Sequence, residues 1–214
     1  YEYGSFGRQG WQGALGGSEG NLDGRISVSG DRFSGYRQHS FSRRNAVRAN
    51  IGYEGENFAS RTWFSWTDLA FDVAGSLSQE KVQADPRSVF PMVWTRDPHR
   101  NVEQARIANR LSWRGENWKN ELGIWAQHTH DNFVTPMVYV LSASNTYGAQ
   151  WRTELQRGAW DYRLGASAER SDMERDLRQN RRGTPDNFKL LGAYTMLAEN
   201  QNLAFGAGWQ ITEQ

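Results

Sequence analysis

The sequence predicts an all-β protein, specifically a run of antiparallel strands from a transmembrane β-barrel. Apolar and polar residues alternate over about ten positions in five stretches, which are Ala46–Tyr53, Ala105–Arg114, Tyr147–Gln156, Trp160–Glu169 and Asn202–Ile211. A period of two places successive side chains on opposite faces of a strand. No charged residue falls on the apolar faces of these stretches, whereas Arg, Asp and Glu recur on the opposite faces.

The connections between the strands supply the second observation, because short turns and long loops take turns along the chain. The short turns centre on 18–21, 54–57, 114–117, 157–159 and 199–201, and they are rich in Gly, Asn and Glu. The longer connections are 31–41, 68–104, 131–146 and 170–188, and they hold all 5 prolines. This arrangement places every short turn at one end of the sheet and every long loop at the other, as in outer-membrane barrels.

The pattern yields about ten strands, near 2–16, 22–31, 41–54, 58–68, 104–115, 119–131, 146–157, 159–170, 188–199 and 202–213. Most of them reach the ~9–11 residues that a tilted strand needs to cross a bilayer. The 68–104 connection leaves room for one helical turn near Ser78–Val82.

Aromatic residues give the third observation. The chain contains 10 Trp, 8 Tyr and 10 Phe, and several stand beside the short turns: Tyr53, Trp113, Trp118, Trp160, Tyr162 and Phe205. Trp and Tyr favour the headgroup level of a membrane, where the ring meets lipid and the N–H or O–H meets water. A soluble β-sandwich also alternates, but its strands usually run only ~5–6 residues. The strand lengths and aromatics favour the membrane barrel.

Composition excludes several other classes of protein. No apolar run approaches the ~18 residues of a spanning helix. The 25 basic and 24 acidic residues give no reason to expect a nucleic-acid partner. Cysteine is absent, which excludes a disulfide scaffold and thiolate metal sites. The mean hydropathy of -0.80 fits a barrel, because only alternate residues meet lipid.

One short segment could carry chemistry. His128 and His130 share a strand face and are followed by Asp131, so they could bind a metal or act in acid–base work at a barrel rim. The simpler interpretation is a strand entering a loop, and we therefore expect neither catalytic nor metal-binding residues.

Basic residues in or beside the long loops form the candidate ligand site. They are Arg37, Arg43, Arg44, Arg96, His99, Arg100, Arg181 and Arg182. Arg side chains bind carboxylates and phosphates with paired N–H donors. The functional interpretation is an electropositive mouth for an anionic ligand, and the alternative is ordinary solvated loop charge.

Several segments resemble TonB-dependent receptors of the ferric-siderophore type. They are Tyr3–Gly7, Asp31–Arg37 with His39-Ser40, Ala74–Ser78 with Asp85–Arg87, and Thr146–Ala149, the last resembling receptors related to ferric dicitrate receptors. Ala74 stands where that family usually has proline. The resemblance implies a barrel of about 22 strands closed by a plug domain. Residues 1–214 would supply about ten of these strands, beginning at the second, without the plug or the second half of the barrel.

The resemblance also implies a function: uptake of a ferric chelate across the outer membrane of a Gram-negative bacterium, energised through TonB. The expected partners are outer-membrane lipid, TonB through the missing N-terminal part, and a small-molecule iron chelate, which is cargo and not a cofactor. The alternatives are a self-contained ten-stranded barrel acting as a pore or rim protease, and a soluble β-sandwich binding module.

Overall fold

The computed structural model describes residues 1–158, 160–179 and 195–211 and shows one antiparallel sheet in which each strand pairs with the next along the chain. The strands are β1 (Glu2–Gly4), β2 (Arg8–Glu19), β3 (Leu22–Phe33), β4 (Ser42–Glu54), β5 (Phe58–Asp72), β6 (His99–Arg114), β7 (Trp118–Val134), β8 (Val138–Arg157), β9 (Trp160–Gln179) and β10 (Thr195–Ile211). This confirms the predicted all-β fold class.

The sheet has no second layer packed against it in the described part of the chain. Only Ala46, Ala74, Val89, Val93, Pro98 and Val134 have buried apolar side chains there. A β-sandwich needs two sheets whose inner faces bury a common core, so the sandwich alternative is wrong. The described strands also do not close on themselves, because the pairing runs from β1 to β10 without a β1–β10 or β2–β10 contact.

The predicted apolar faces of β4, β6, β8 and β9 lie on one side of the sheet, which we call the outward face; the other is the inward face. The side chains of the predicted stretch Asn202–Ile211, including Phe205, lie outside the described part of the protein. Leu15, Ile26, Ile51, Ile107 and Ile124 are all exposed on the outward face, although they are apolar. The predicted aromatics Tyr53, Trp113, Trp118, Trp160 and Tyr162 share that face near the short turns. Exposed apolar surface of this extent requires a partner, and alternating strands of this length match it to lipid.

The outward apolar belt is oblique to the strand pairing. When each residue is followed to its directly paired residue on the next strand, Leu15 in β2 leads through Phe64 and Ile107 to Arg170 in β9. The apolar residues of β9, however, run from Trp160 to Ala168 and do not reach Arg170. The belt therefore shifts by about one residue per strand, which for a rise of ~3.3 Å and a strand spacing of ~4.8 Å corresponds to a tilt of roughly 35°. Membrane barrels tilt their strands by a similar angle.

The short turns are joined into a continuous rim. The carbonyl of the asparagine that ends one turn accepts a hydrogen bond from the next hairpin: Asn21 from Glu54 N (2.9 Å), Asn57 from Arg114 N (3.0 Å) and Asn117 from Gln156 N (2.8 Å). The asparagines that end these turns thus satisfy backbone groups between neighbouring hairpins.

Two predicted boundaries are wrong near the chain's ends. The strand predicted over 2–16 breaks at a 3₁₀ turn, Ser5–Gly7, where positive φ values at Phe6 (57°) and Gly7 (70°) reverse the chain and pair β1 with β2. The turn predicted at 199–201 lies inside the single strand β10, where Asn200 pairs with Ser171. Residues 199–201 of β10 pair with residues 170–172 of β9, and both segments continue the sheet beyond the apolar belt.

The long connections are shorter than predicted because several strands continue past the belt. The loop predicted over 131–146 contains only three residues outside the strands, 135–137. There Thr135 Oγ1 accepts hydrogen bonds from Met137 N (3.2 Å) and Val138 N (2.9 Å), and β8 begins at Val138. The remaining connections are 34–41, 73–98 and the one after Gln179. The 73–98 loop holds α1 (Gln79–Ala84), close to the expected helical turn, and α2 (Val93–Arg96). No helix among the described residues could span a membrane.

Candidate ligand site: outer loops and inward wall

The two described outer loops, 34–41 and 73–98, are bound together by Arg37. Its guanidinium donates hydrogen bonds to the carbonyls of Ser88 (3.0 Å), Gly75 (2.8 Å) and Ala74 (3.3 Å). Arg87 Nε in turn donates to the carbonyl of Tyr36 (3.2 Å). Arg37, which was predicted to contact a ligand, therefore holds the 73–98 loop in place.

His39 fastens the base of the same loops. Its Nε2 faces the carbonyl of Pro98 (2.9 Å), which requires a proton on that nitrogen, and its side chain is 12% exposed. Asp72 and Asp97 carboxylates lie 4.0 Å and 3.7 Å from the ring. His99, another predicted ligand residue, places Nδ1 2.7 Å from the carbonyl of Asp97.

Above this base the loops present aromatic surface. Trp94 in α2 is 64% exposed, and Phe90 and Tyr36 are also exposed. The ring of Tyr36 makes an edge contact with Phe6, with centroids 5.1 Å apart. Arg96, at the end of α2, lies beside these aromatics in sequence.

Arg100 is paired across the sheet. Its Nε and Nη2 donate to the two carboxylate oxygens of Asp131 (2.9 and 2.7 Å), and its guanidinium lies 5.5 Å from the ring centroid of Phe133. The hydrogen bond with Asp131 raises the pKa of Arg100 above its ordinary value. This ion pair lies on the inward face at the end of the sheet that carries the long loops, beyond the apolar belt.

Arg43 and Arg44 lie on opposite faces of β4. Arg43 faces outward and donates to Asp68 (2.9 Å), whereas Arg44 faces inward opposite Asp31. The eight predicted residues are thus not one patch: loop, outward and inward positions are all represented. Arg181 and Arg182 lie outside the described residues. Their direct contact with a ligand stays a prediction.

The segment His128–Asp131 is also divided between faces. His128 and His130 point outward, where His128 Nδ1 lies 2.8 Å from Asn145 Oδ1, whereas Asp131 faces inward toward Arg100. No cluster of three potential metal ligands occurs in the described ranges. The carboxylate and the two imidazoles thus lie on opposite faces of β7, and they do not form the joint metal or acid–base site that the sequence suggested.

The inward face of β3–β6 carries a basic wall that the sequence predictions did not single out. Arg61 reaches across Gly52, where a Cβ would lie 2.4 Å from its Nη2, and donates to Asp23 (2.7 and 2.5 Å) and Asn50 (2.9 Å). Arg110 lies 5.6 Å above the Trp63 ring. Arg25, Arg48 and Arg106 stand nearby on the same face. Their signal in the sequence is a basic residue on the polar face of successive strands.

The inward face of β7–β9 is, by contrast, balanced in charge. Lys119 pairs with Glu121 (2.9 Å), Arg163 lies 3.9 Å from Glu154, and Trp125 Nε1 donates to Glu169 (3.3 Å). The free cationic groups of the described wall are therefore concentrated on β3–β6.

Solved structures of outer-membrane receptors share this fold. The ferric citrate transporter FecA in its unliganded form matches with a TM-score of 0.71 and 15% identity over 97% of this chain and 33% of its own. The ferric-catecholate import receptor Fiu of Escherichia coli K12 matches with a TM-score of 0.68 and 9% identity over 95% of this chain and 40% of its own. The ferripyoverdine receptor of the outer membrane of Pseudomonas aeruginosa matches with a TM-score of 0.66 and 10% identity over 96% of this chain and 33% of its own.

These likenesses show that the chain has the fold of a barrel segment of such receptors, which confirms the predicted resemblance at the level of the fold. The chain spans about a third of the length of FecA and of the ferripyoverdine receptor. No protein-family model and no curated protein matches the sequence.

Proposed function

We propose that residues 1–214 belong to the barrel of a plugged outer-membrane receptor of about 22 strands that takes up a ferric chelate in a Gram-negative bacterium, energised through TonB. The observation that carries the proposal is the two-faced sheet: among the described residues it has an oblique apolar belt outside, a polar wall inside, and the 34–41 and 73–98 loops at the same end. FecA, Fiu and the ferripyoverdine receptor, which share the fold, act on ferric chelates according to their names.

Each part of the structure has a place in this function. The outward belt would contact outer-membrane lipid, and the loops fastened by Arg37 and His39 would present their aromatic surface to the chelate. The inward wall would line the passage around the plug. The function is transport, so the residues bind and guide the cargo without catalysing a reaction.

Deleting the gene for the full-length protein tests the proposal. Under iron limitation, we expect the deletion strain to lose uptake of radioactive iron from at least one chelate in a panel, and a plasmid copy to restore it. Dissipating the proton-motive force should stop that uptake, because TonB draws on it.

Two outcomes would contradict the proposal. Equal uptake of every chelate by the deletion strain and its parent would remove the transport role. Uptake that depends on the gene but continues after the proton-motive force is dissipated would indicate a passive pore instead of a TonB-energised receptor.

A further inference from the structure

Arg25, Arg48 and Arg106 surround one cavity on the inward face. Arg48 in β4 is directly opposite Ser65 in β5, and Ser65 is directly opposite Arg106 in β6. Arg25 in β3 is opposite Asn50, one inward position further along β4. The three arginines line a cavity of about 360 Å³ whose wall includes Trp63.

Arg48 also belongs to a second cavity, which lies nearer the long loops. This cavity of about 240 Å³ is lined by Arg44 and Arg48 together with the carboxylates of Glu2 and Asp31. Arg44 and Arg48 are four residues apart on one strand face, hence ~13 Å at the usual rise. We call Arg44, Arg48, Arg25 and Arg106 the arginine track, because they extend along the inward face from the long-loop end of the strands to their middle.

No carboxylate forms an ion pair with the arginine track in the described part of the chain. None of its four guanidiniums forms an ion pair there, and all four residues are exposed on the open inward face. Asp31, the carboxylate directly opposite Arg44, instead pairs with Arg8 at 3.4 Å. Asp23 is likewise taken by Arg61.

Unpaired guanidiniums along a passage attract anions and bind carboxylates through paired N–H donors. Positively charged side chains lining a pore select anions, and several weak sites in series allow a ligand to bind and still leave. We infer that the arginine track binds the chelate during its passage and that the cargo is an anionic, carboxylate-bearing ferric chelate. This inference rests on the proposed function and specifies its substrate class.

A charge-graded panel of chelates separates the two proposals. The deletion strain and its complemented counterpart receive iron as an anionic citrate chelate, a neutral trihydroxamate chelate and a cationic linear hydroxamate chelate. We expect gene-dependent uptake from the citrate chelate. Gene-dependent uptake confined to the neutral or cationic chelate would overturn the anionic cargo and leave the transport function standing, whereas no gene-dependent uptake would overturn both.

Substitution in the full-length receptor tests the track itself. The double variant Arg48→Gln/Arg106→Gln should lower citrate-chelate uptake per receptor by about tenfold or more at subsaturating ligand, because each change removes a charged hydrogen-bond donor. The double variant Arg48→Lys/Arg106→Lys keeps the charge but loses the paired N–H donors, so its uptake should lie between that of the glutamine variant and that of the unaltered receptor. Arg32→Gln removes a cation from the outward face of β3 and should leave uptake unchanged.

Receptor amount in the outer membrane, measured by immunoblot, normalises each value. Unchanged uptake per receptor in the glutamine variant would overturn the track. So would a glutamine variant that only lowers the amount of folded receptor, because that result would indicate that the arginines hold an acidic segment of polypeptide.

Discussion

Replacing Ile124 by arginine should greatly reduce the amount of folded full-length receptor in the outer membrane. Ile124 is 47% exposed at the middle of the outward face of β7, with Asn109 and Ala149 as direct neighbours. If that face meets lipid, a guanidinium near the bilayer midplane costs about 2–4 kcal/mol. The measurement is the heat-modifiable receptor band in outer-membrane fractions, together with the urea concentration that unfolds the receptor in lipid vesicles.

Gln150→Arg is the matched control. Gln150 is exposed on the inward face of β8, directly opposite Gly123 of β7, the residue before Ile124. The same side chain is introduced there into a watery, polar lumen, so we expect a near-normal amount of folded receptor. Equal losses from both substitutions, or a loss from Gln150→Arg alone, would contradict the assignment of the two faces.

Replacing Arg37 by lysine should release the 73–98 loop. The guanidinium contacts three carbonyls at Ala74, Gly75 and Ser88, and a single ammonium group cannot reach all three in this geometry. The Ala74 carbonyl keeps its hydrogen bond from Phe90 N, but a desolvated carbonyl left without a donor, as at Gly75 or Ser88, costs about 1–3 kcal/mol. We expect trypsin to cleave after Lys81 or Arg87 at least about tenfold faster on intact cells.

Glu80→Gln, an exposed change in α1 beside Lys81, controls for a substitution in the 73–98 loop that leaves the Arg37 hydrogen bonds in place. The assay contains no chelate, so it reports on the loop's own contacts and not on ligand protection. An Arg37→Lys receptor cleaved at the rate of the unaltered protein would show that these hydrogen bonds do not hold the loop.

Alternation predicted the strands best where one face meets lipid. In β4, β6, β8 and β9 the predicted apolar residues lie on a single face, because charge is costly on a lipid face and the apolar residues thus mark its period in the sequence. Beyond the belt both faces meet water, and the period disappears. Residues such as Ser142 and Asn145 then resemble a loop, although they pair regularly in β8.

The candidate site was less predictable, because it depends on contacts between distant segments. Arg43 and Arg44 are adjacent in sequence, yet a shift of one residue in a strand moves a side chain to the opposite face. Arg37 and Arg100 were grouped by their charge, but each is held by hydrogen bonds to residues far away in the sequence. The partners of Arg37 lie 37 to 51 residues from it, and the partner of Arg100 lies 31 residues from it. The cavity joining Arg25, Arg48 and Arg106 requires the register of four strands.

The period of two in β7 offers the most direct test of the membrane assignment. The chain contains no cysteine, so single cysteines can be introduced from position 121 to position 126 and labelled with a fluorophore in the full-length receptor, with any cysteine elsewhere replaced by serine. In vesicles of brominated lipid, strong quenching is expected at the outward positions Leu122, Ile124 and Ala126. Weak quenching is expected at the inward positions Glu121, Gly123 and Trp125. Quenching that does not alternate, or that is strongest at the inward positions, would contradict a two-faced transmembrane sheet.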